Sequence, residues 1–474
     1  MRVRTFLREK VLRSAFAPVD IASLVFFRIA FGLLVIGMVH RIWSYHGIAQ
    51  WWIDSHFLFK YPGFAWVHPW PGNWLYIHWA ALGLLALFIA IGFLYRISAV
   101  LFFLGFSYFF LLDQGRYANH WYLICLFGFL LIFIPAHRAF SIDAWLRPKL
   151  RSQAIPAWTL WLLRAQMAAV YFFAGVAKIT PDWLRGEPLR MWWSHGHHFW
   201  LLDRLAKEEW AIYVASYGAL LVDLFLAPLL LWRRTRTAAF FVAVIFHLLN
   251  ALTFPIDIFP WLAIAATTLF LSPGWPRRII SLFRRGGPRP VMEQGDLPAR
   301  GGQLLVSSFV AIYIAIQIFV PLRHFLYSGG IEWTYMEHRF SWQMLLRNEV
   351  TTTFFYVTDP NTGHETQIAP EEYLDGFQIA RMGWRPDMVL QFARFLASQM
   401  PRYGPEPLRV EARMFVSING RRPRLFIDPN LNLAAEPRTL GRPRWLLQIR
   451  EPLPPRGQDF SGSPFAGSGQ EDRF

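Results

Sequence analysis

Nine mostly apolar stretches recur between residues 20 and 320, and they constrain the fold more than any other feature of this sequence. A helix needs about 20 such residues to cross a bilayer. The predicted spans cover residues 20–43, 76–95, 97–112, 119–135, 158–178, 211–232, 238–254, 257–272 and 303–320. Only 16% of the residues are charged, against about 25% in an average soluble chain. The sequence therefore predicts a polytopic α-helical membrane protein with about nine transmembrane helices.

The distribution of basic residues predicts the orientation of these helices. If the N-terminus is cytoplasmic, the inside segments hold 19 Lys and Arg residues and the outside loops between spans hold six. Membrane proteins carry this excess on the cytoplasmic side. The net charge of +16 is thus explained by topology, and no nucleic acid partner is expected. Residues 1–13 are basic and precede a long apolar run without a cleavage site, which predicts a cytoplasmic arm and an uncleaved signal anchor.

The composition changes after about residue 330 and predicts an extracytoplasmic α+β, β-rich domain. Short β-branched and aromatic runs predict strands at 351–357, 409–418 and 424–427, and Asn419-Gly420 predicts a hairpin between the last two. Helices are expected at 371–379 and 386–400. The predicted domains are a cytoplasmic N-terminal arm (1–19), a transmembrane domain (20–325), the extracytoplasmic domain (326–455) and a disordered Gly/Ser-rich tail (456–474).

Several polar side chains lie at membrane depth, where each ionisable group costs about 2.5–3.5 kcal/mol on insertion scales and so needs a reason. They are Arg28, Arg164, Lys178, Asp223 and His247, with Asn119, His120 and His324 at span ends. The topology places Asn119, His120, Lys178, His247 and His324 in one leaflet, the one that faces the extracytoplasmic domain. This convergence predicts a functional site there.

A structural interpretation exists for each of these residues. Lys178 at a span end can snorkel to the lipid headgroups. Arg164 lies 14 residues earlier, about 21 Å along the same helix, and is expected to be a structural partner of Asp223. His247 can be a hydrogen-bonded interior residue.

Metal binding is not expected. His195, His197 and His198 form a cluster without a carboxylate or cysteine at ligand spacing, and the surrounding tryptophans favour an interfacial aromatic belt. Cys125 is the only cysteine, which excludes an intrachain disulfide and a cysteine-based metal site. Nucleotide-binding glycine loops, His-Glu-x-x-His and the nucleophile elbow are also absent from the sequence.

Lys178 has the surroundings that a lysine base requires. Burial in the aromatic segment that begins at Tyr171 would disfavour the ammonium form. Ala174 and Gly175 lie one turn before the lysine, and their small size would let a neighbouring helix or a flat ligand approach closely.

The segment 171–190, YFFAGVAKITPDWLRGEPLR, resembles the signature of the vitamin K-dependent gamma-glutamyl carboxylases and their bacterial relatives with an HTTM domain. Further resemblances follow the order of the family over about residues 20–450. They are Asn119-His120-Trp121-Tyr122-Leu123, Phe246-His247-Leu248-Leu249-Asn250, Ser272-Pro273-Gly274-Trp275-Pro276-Arg277, His324-Phe325 with Trp333-Thr334 and Ser341-Trp342, and Ser417-Ile418-Asn419-Gly420-Arg421 with Asp428-Pro429.

The resemblance implies an enzyme that uses a reduced vitamin K-type naphthoquinone with O₂ and CO₂ as co-substrates. In that family the lysine that aligns with Lys178 deprotonates the quinol, whose oxygenation to the epoxide generates a strong base. That base removes the γ-proton of a glutamate, and the carbanion adds CO₂. The resemblance further implies a role for His120 and Asn119 in carboxylation. It places Tyr171, Gly175 and His247 in the quinol pocket. Trp333, Tyr335 and Trp342 either border the acceptor site or pack within the external domain.

In a bacterial cytoplasmic membrane, menaquinol would be the natural donor, membrane lipid would surround the helices, and a glutamate-containing peptide or protein would be the acceptor. Two other hypotheses remain open at this point. The chain could form epoxide or act on another acceptor without carboxylation, or it could be a non-catalytic quinone- or lipid-binding membrane partner in which Lys178 only snorkels.

Overall fold

The computed structural model describes residues 10–194, 200–205, 207–283, 299–323, 338–439, 443–447, 451–455 and 458–462. Seven helices in these ranges have the length and apolar composition of membrane spans, and two shorter apolar helices, Asn119–Phe133 and Phe259–Phe270, lie at two further predicted positions. The chain is therefore a mostly helical, polytopic membrane protein, while the count of nine spans stays a prediction. Most of the predicted arm and tail, residues 1–9 and 463–474, lies outside the described residues.

The described helices and strands follow one another along the chain with short connections. The helices are α1 (Ala22–Ser44), α2 (Trp74–Ile91), α3 (Tyr95–Leu112), α4 (Asn119–Phe133), α5 (Ile142–Leu146), α6 (Ala157–Ala177), α7 (Pro181–Leu184), α8 (Glu187–Ser194), α9 (Trp200–Leu205), α10 (Glu209–Leu231), α11 (Arg236–Thr253), α12 (Phe259–Thr267), α13 (Trp275–Phe283), α14 (Arg300–Leu322), α15 (Gly376–Met382) and α16 (Pro386–Gln399). The strands are β1 (Pro18–Asp20), β2 (Ala154–Pro156), β3 (Glu349–Asp359), β4 (His364–Ile368), β5 (Arg409–Ile418) and β6 (Arg424–Leu425).

Two arginines in the transmembrane part donate hydrogen bonds to backbone carbonyl groups. Arg28 is fully buried and donates to the carbonyl oxygens of Ala136 (2.8 Å) and Phe140 (2.5 Å) in the loop after α4. Arg164 donates to the carbonyl oxygens of Leu269 (2.7 Å) and Leu271 (3.3 Å) at the end of α12. The expected pairing of Arg164 with Asp223 is therefore wrong, because helix ends leave carbonyl groups without intrahelical partners and Arg164 reaches those instead.

The end of the bundle where α1 begins is held by the segment Ser272–Arg277. Arg277 forms an ion pair with Asp20, with Nε 3.0 Å from Oδ2, and the amide of Ser23 donates to the carbonyl oxygen of Pro273. Gly274 allows this approach, since a Cβ there would lie 3.0 Å from Asp20 Oδ2. This motif of the sequence thus fastens α13 to the start of α1.

The C-terminal domain is a four-stranded antiparallel sheet in the order β4-β3-β5-β6, with α15 and α16 packed on it. The predicted hairpin is confirmed: β5 pairs with β6, and Asn419 and Gly420 adopt positive φ values of 51° and 74°. The predicted helix at 371–379 is replaced by a 3₁₀ turn, Pro370–Glu372, and by α15 from Gly376. The helix begins later because Asp375 and Gln378 form a capping box.

The hairpin turn joins this domain to the segment that follows the lysine helix α6. Arg421 forms a bidentate ion pair with Asp182 in α7, with distances of 2.7 and 2.9 Å, and Asn419 Nδ2 donates to the same carboxylate at 2.7 Å. Two interacting charges and an amide thus fix the domain a few residues from Lys178. A second contact with this domain is made by Asp113, whose carboxylate accepts a hydrogen bond from Gln378 of α15.

We expect Asp182→Asn to lower the free energy of unfolding by about 2 kcal/mol near neutral pH, the usual value for hydrogen bonds to charged groups. Burial opposes ionisation of Asp182, but hydrogen bonds from Arg421 outweigh it and lower the pKa of the carboxyl. The stabilisation is therefore present above the unfolded pKa of about 3.9 and is lost as the pH falls through the lower folded value. Thermal unfolding of both proteins as a function of pH tests this. A difference between them that does not shrink from about pH 5 to about pH 3 would contradict the assignment.

Candidate functional site

A cavity of about 350 Å³ lies where the ends of α4, α6 and α11 and the middle of α10 meet the C-terminal domain. One part of its wall comes from these helices and is here called the membrane side; the other comes from residues after 337 and is called the domain side. Five of the residues predicted to converge or to bind quinol line the cavity: Asn119, His120, Tyr171, Lys178 and His247. The structure therefore brings together side chains that are up to 128 positions apart in the sequence.

Lys178 ends α6 and points into the protein. Its ammonium nitrogen lies 2.7 Å from Asp223 Oδ2 and donates to the carbonyl oxygen of Ala174 at 3.2 Å. The same nitrogen lies 5.2 Å from the centre of the Trp183 ring. Lys178 and Asp223 are each 5% exposed. The lysine is thus buried against a carboxylate, which differs from both the snorkelling lysine and the purely apolar pocket considered from the sequence.

Close packing of two helices produces this pair. Gly175 lies where α6 touches α10, and a Cβ at this position would lie 2.8 Å from the backbone nitrogen of Leu224. Asp223 precedes Leu224 and so reaches the lysine one turn further along α6. Of the two possibilities raised for Gly175, contact with a neighbouring helix is the one observed, and Gly175 does not line the cavity.

A second polar cluster on the membrane side joins Tyr171, His247 and Thr267. The Tyr171 hydroxyl lies 2.8 Å from both His247 Nε2 and Thr267 Oγ1, and the Thr267 hydroxyl donates to the carbonyl oxygen of Ala263. His247 is 1% exposed, and its Nδ1 has no hydrogen-bond partner among the described residues. Whichever tautomer the ring adopts, Nδ1 keeps an unused donor or acceptor, and it belongs to a residue that lines the cavity.

Asn119 and His120 begin α4 and connect the membrane side with the segment after α14. Asn119 Oδ1 accepts from the Tyr117 hydroxyl at 2.9 Å, and its Nδ2 donates to the carbonyl oxygen of Gln343 at 3.3 Å. His120 Nε2 lies 3.3 Å from Asp257 Oδ2. A carboxylate beside one ring nitrogen orients an imidazole. The pair fixes His120 at the cavity wall.

Asp257 has a strained backbone conformation, and an arginine helps to hold it in place. Its φ of 56° is unusual for a residue other than glycine, and it also forms an ion pair with Arg41 of α1. Strained positions of this kind persist where the surrounding contacts fix them, often at functional sites.

The domain side contributes a different set of groups. Charged residues line it, namely Arg347, Glu349, Arg381 and Arg385, together with His338 and Trp384. Burial raises the pKa of Glu349 to about 8, although Arg381 and Arg385 act in the opposite direction. Near neutral pH this carboxyl group is therefore largely protonated.

Some predicted residues lie elsewhere. Trp342 is fully buried and stacks on Tyr122 with ring centres 5.1 Å apart, and it does not line the cavity, although the next residues, Gln343 and Met344, do. Trp342 is therefore a packing residue in this structure. The other predicted residues, His195, His197, His198, His324, Trp333 and Tyr335, lie outside the described ranges.

The sequence does not single out five charged residues at or beside the site, namely Asp257, Arg347, Glu349, Arg381 and Arg385. It identifies Asp223 as a buried charge, but with the wrong partner. Asp257 follows Pro255 at the end of α11, where an acidic residue between two apolar helices was a usable signal. No sequence motif identifies Glu349 or Arg381 as site residues, because their positions depend on how the sheet and α15 pack over the cavity. Within the described ranges no group of three or more His, Cys, Asp or Glu side chains is arranged to hold a metal.

Family comparisons match both parts of the chain. The model of the HTTM domain matches residues 16–275, which are 260 of the 474 residues, and the model of the vitamin K-dependent gamma-carboxylase lumenal domain matches residues 302–452. The first match contains helices α1 to α12, and the second contains α14 and the C-terminal sheet. No solved structure matches the chain.

We expect Gly175→Ala to destabilise the protein by about 1–3 kcal/mol, the usual cost of inserting a methyl group into a closely packed interface. The added Cβ would push α10, and with it Asp223, away from Lys178. Gly218→Ala on α10 is the matched control, because no atom lies within 4 Å of a Cβ at that position. Thermal unfolding in detergent measures both variants. Equal unfolding temperatures for the two would show that the approach at Gly175 is not tight.

Proposed function

The chain belongs to the vitamin K-dependent gamma-carboxylase family, and from this premise we propose that it oxygenates a reduced naphthoquinone and couples that reaction to addition of CO₂ to the γ-carbon of a glutamate. The observation that carries the proposal is the buried Lys178, which lies in a cavity between the membrane helices and the extracytoplasmic domain and contacts Asp223 at 2.7 Å. The family match supports a vitamin K-type co-substrate and a carboxylase kind of enzyme.

The proposed location is a bacterial cytoplasmic membrane, with the N-terminus inside and menaquinol as the donor. The excess of basic residues in the inside loops supports this orientation. It agrees with the lumenal type of the C-terminal domain, which makes that domain extracytoplasmic. An apolar quinol would reach the membrane side of the cavity from the bilayer, and water-soluble reactants would reach the domain side.

The membrane side has properties that fit a quinol. Apolar and aromatic residues, among them Val170, Phe246 and Phe259, form its wall. His247 Nδ1, which has no partner in the part of the chain that the structure describes, offers a hydrogen bond to a ligand oxygen, and Tyr171 fixes the ring through Nε2. The volume of about 350 Å³ is in the usual range for small-molecule pockets, about 300–1,000 Å³. His247, Tyr171 and Lys178 would hold the quinol there.

A reduced naphthoquinone bound in this cavity would supply the hydroxyl proton that Lys178 accepts and the electrons that reduce O₂. The glutamate γ-carbon is too weak an acid for any side-chain base, so an oxidation has to drive its deprotonation. The low polarity of a closed site protects reactive species from water.

Lys178 can accept a proton only in its amine form, and Asp223 provides a route to that form. Burial of an ammonium and a carboxylate together costs several kcal/mol per ion before their attraction is counted. Transfer of one proton from Lys178 Nζ to Asp223 Oδ2, 2.7 Å away, converts both into neutral groups without loss of their hydrogen bond. We therefore assign the proton-accepting function to the pair, with Lys178 facing the quinol and Asp223 holding the lysine proton.

His120 and Asn119 are proposed to serve the carboxylation step. Asp257 orients the imidazole of His120, and Tyr117 and Gln343 fix Asn119. These contacts hold a donor amide and a titratable ring in one place at the cavity wall. Both groups can stabilise a developing anion by hydrogen bonding.

The decisive experiment supplies purified protein in detergent with a reduced naphthoquinone, O₂, ¹⁴C-bicarbonate and a glutamate-containing peptide. Epoxide and fixed label are measured together, with Lys178→Ala in parallel. Both products, lost in the variant, would establish the proposed reaction. Epoxide without label would mean another acceptor, and neither product from folded, quinone-loaded protein would favour a non-catalytic quinone-binding membrane protein.

We expect Lys178→Arg to abolish epoxide formation, because an arginine keeps its proton in a protein. A snorkelling lysine would tolerate this change. The rate of epoxide formation at saturating quinol measures the effect, and quinone binding to the variant shows that the cavity is intact.

Asp223→Asn is expected to lower the rate of epoxide formation at least 100-fold, a typical effect of losing a positioned proton acceptor. The amide can accept a hydrogen bond from Lys178 but not its proton. Raising the pH should restore part of the rate, since hydroxide then removes the lysine proton. Glu209→Gln, at the exposed start of the same helix, is the control. Full activity of Asp223→Asn at neutral pH would refute a proton-holding role.

A further inference from the structure

The domain side of the cavity contains a cluster of arginines. Arg385 is 1% exposed, and Arg381 and Arg347 line the cavity beside it. The charged groups that face this cluster are Arg339 and Asp387, which pair with each other, Glu349, and Asp182, which interacts electrostatically with Arg347. Among the described residues, Asp387 and Asp182 each form their ion pair with an arginine other than Arg381 and Arg385.

The arginines of α15 and its C-terminal flank are held by aromatic rings and carbonyl groups. The Arg385 guanidinium lies 4.5 Å from the centre of the Trp384 ring, donates to the carbonyl oxygen of Gln114 at 3.2 Å and lies 3.2 Å from His338 Nε2. Arg381 lies 4.9 Å from the ring centre of Phe377 and 5.5 Å from that of Trp384. Within the described residues neither Arg381 nor Arg385 has a carboxylate at ion-pair distance.

This arrangement is unfavourable unless an anion joins it. Burial and the neighbouring Arg339 and Arg381 lower the pKa of Arg385 well below its usual value, which reflects the cost of its charge. Arg385 Nε is buried and donates no hydrogen bond in the described part of the chain. A buried charge without a counterion is destabilising, and a bound carboxylate would offset that cost through the planar donors of the guanidinium groups.

Glu349 is suited to a bound carboxylate in its neutral form. Its Oε1 is buried and has no hydrogen-bond partner among the described residues. Burial raises the pKa of this group to about 8, so near neutral pH it can donate its proton in a hydrogen bond to an incoming carboxylate. Above that pH it would repel the same anion. His338 does not change charge in this range, since burial and Arg385 lower its pKa well below the ordinary value.

We propose that Arg381 and Arg385, together with Arg347 and Glu349, form a carboxylate-binding subsite that receives the acidic side chain of the acceptor from the aqueous side of the cavity. The inference rests on the proposed function for the identity of the ligand as the acceptor. The subsite opens into the same cavity as Lys178, so a carboxylate held there keeps its neighbouring carbon atoms near the quinol pocket. Carbonate species share the carboxylate chemistry, and they are the second source that the test has to distinguish.

The test measures binding without turnover. Full-length protein in lipid nanodiscs, without quinol and under nitrogen, is titrated with a short fluorescent peptide that contains one glutamate, with its glutamine analogue, and with bicarbonate as a competitor. We expect the glutamate peptide to bind at least tenfold more weakly to Arg381→Gln, and the glutamine peptide to bind weakly to both proteins. Arg413→Gln is the matched control, because Arg413 is an exposed arginine of β5 that stacks on Tyr356 outside the cavity.

Each outcome decides a different point. Equal affinity of wild type and Arg381→Gln for the glutamate peptide would overturn the subsite, and so would equal binding of the two peptides. Equal peptide affinity of the two proteins, combined with displacement by bicarbonate from the wild type but not from Arg381→Gln, would give the carboxylate site to the CO₂ source instead of the acceptor. Arg381→Lys keeps a positive charge but loses the planar donors, so its affinity should lie between those of the wild type and Arg381→Gln. A matching unfolding temperature for all variants shows that they are folded.

The pH dependence tests Glu349 independently. Binding of the glutamate peptide to the wild type should weaken as the pH rises through about 8, because Glu349 becomes negative. Glu349→Gln keeps a neutral hydrogen-bond donor and should remove this dependence.

The binding test and the turnover assay distinguish failure of the subsite from failure of the proposed function. Peptide binding without label fixation in the turnover assay would count against carboxylation alone. Epoxide formation without peptide binding would count against the subsite alone.

Discussion

The burial of Lys178 beside Asp223 is the constraint on which the rest of the site depends. Two opposite charges in a region of low polarity are stable only when they stay in contact, so α6 and α10 have to approach closely. Gly175 permits that approach, and the same contact fixes where α6 ends and α7 begins. Because Asp182 in α7 then binds Arg421, the position of the extracytoplasmic domain also follows from the place where the lysine helix stops.

The features that were predictable from the sequence are those that depend on local periodicity or on topology. The apolar runs predicted the positions of the helices, Asn419-Gly420 predicted the hairpin, and the alternation of spans placed Asn119, His120, Lys178 and His247 in one leaflet. Pairing between helices was not predictable in the same way. It depends on the rotation of each helix about its axis, so the sequence led to Arg164 as the expected partner of Asp223, whereas the close contact at Gly175 brings Lys178 to it.

The domain side of the cavity shows a second limit of sequence reasoning. Glu349 begins β3 and Arg381 lies in α15, and neither belongs to a motif of polar residues. Their approach to the cavity results from the packing of α15 and α16 on the sheet and from the contact of Gln378 with Asp113 between α3 and α4. Trp342 was singled out as a possible acceptor residue for its motif, yet its side chain fills space against Tyr122 while its backbone neighbours reach the cavity.

The two sides of the cavity differ in the way that the proposed reaction requires. A quinol is neutral and dissolves in the bilayer, so its pocket needs apolar walls and few hydrogen-bonding groups, as at Tyr171 and His247. A glutamate side chain is anionic and dissolves in water, so its pocket needs positive charge that water does not screen, as at Arg381 and Arg385. A pocket wholly inside the membrane would exclude the second reactant, and one wholly inside the domain would exclude the first. A site at the junction of the two, fixed by the Asp182–Arg421 pair, is the arrangement that admits both.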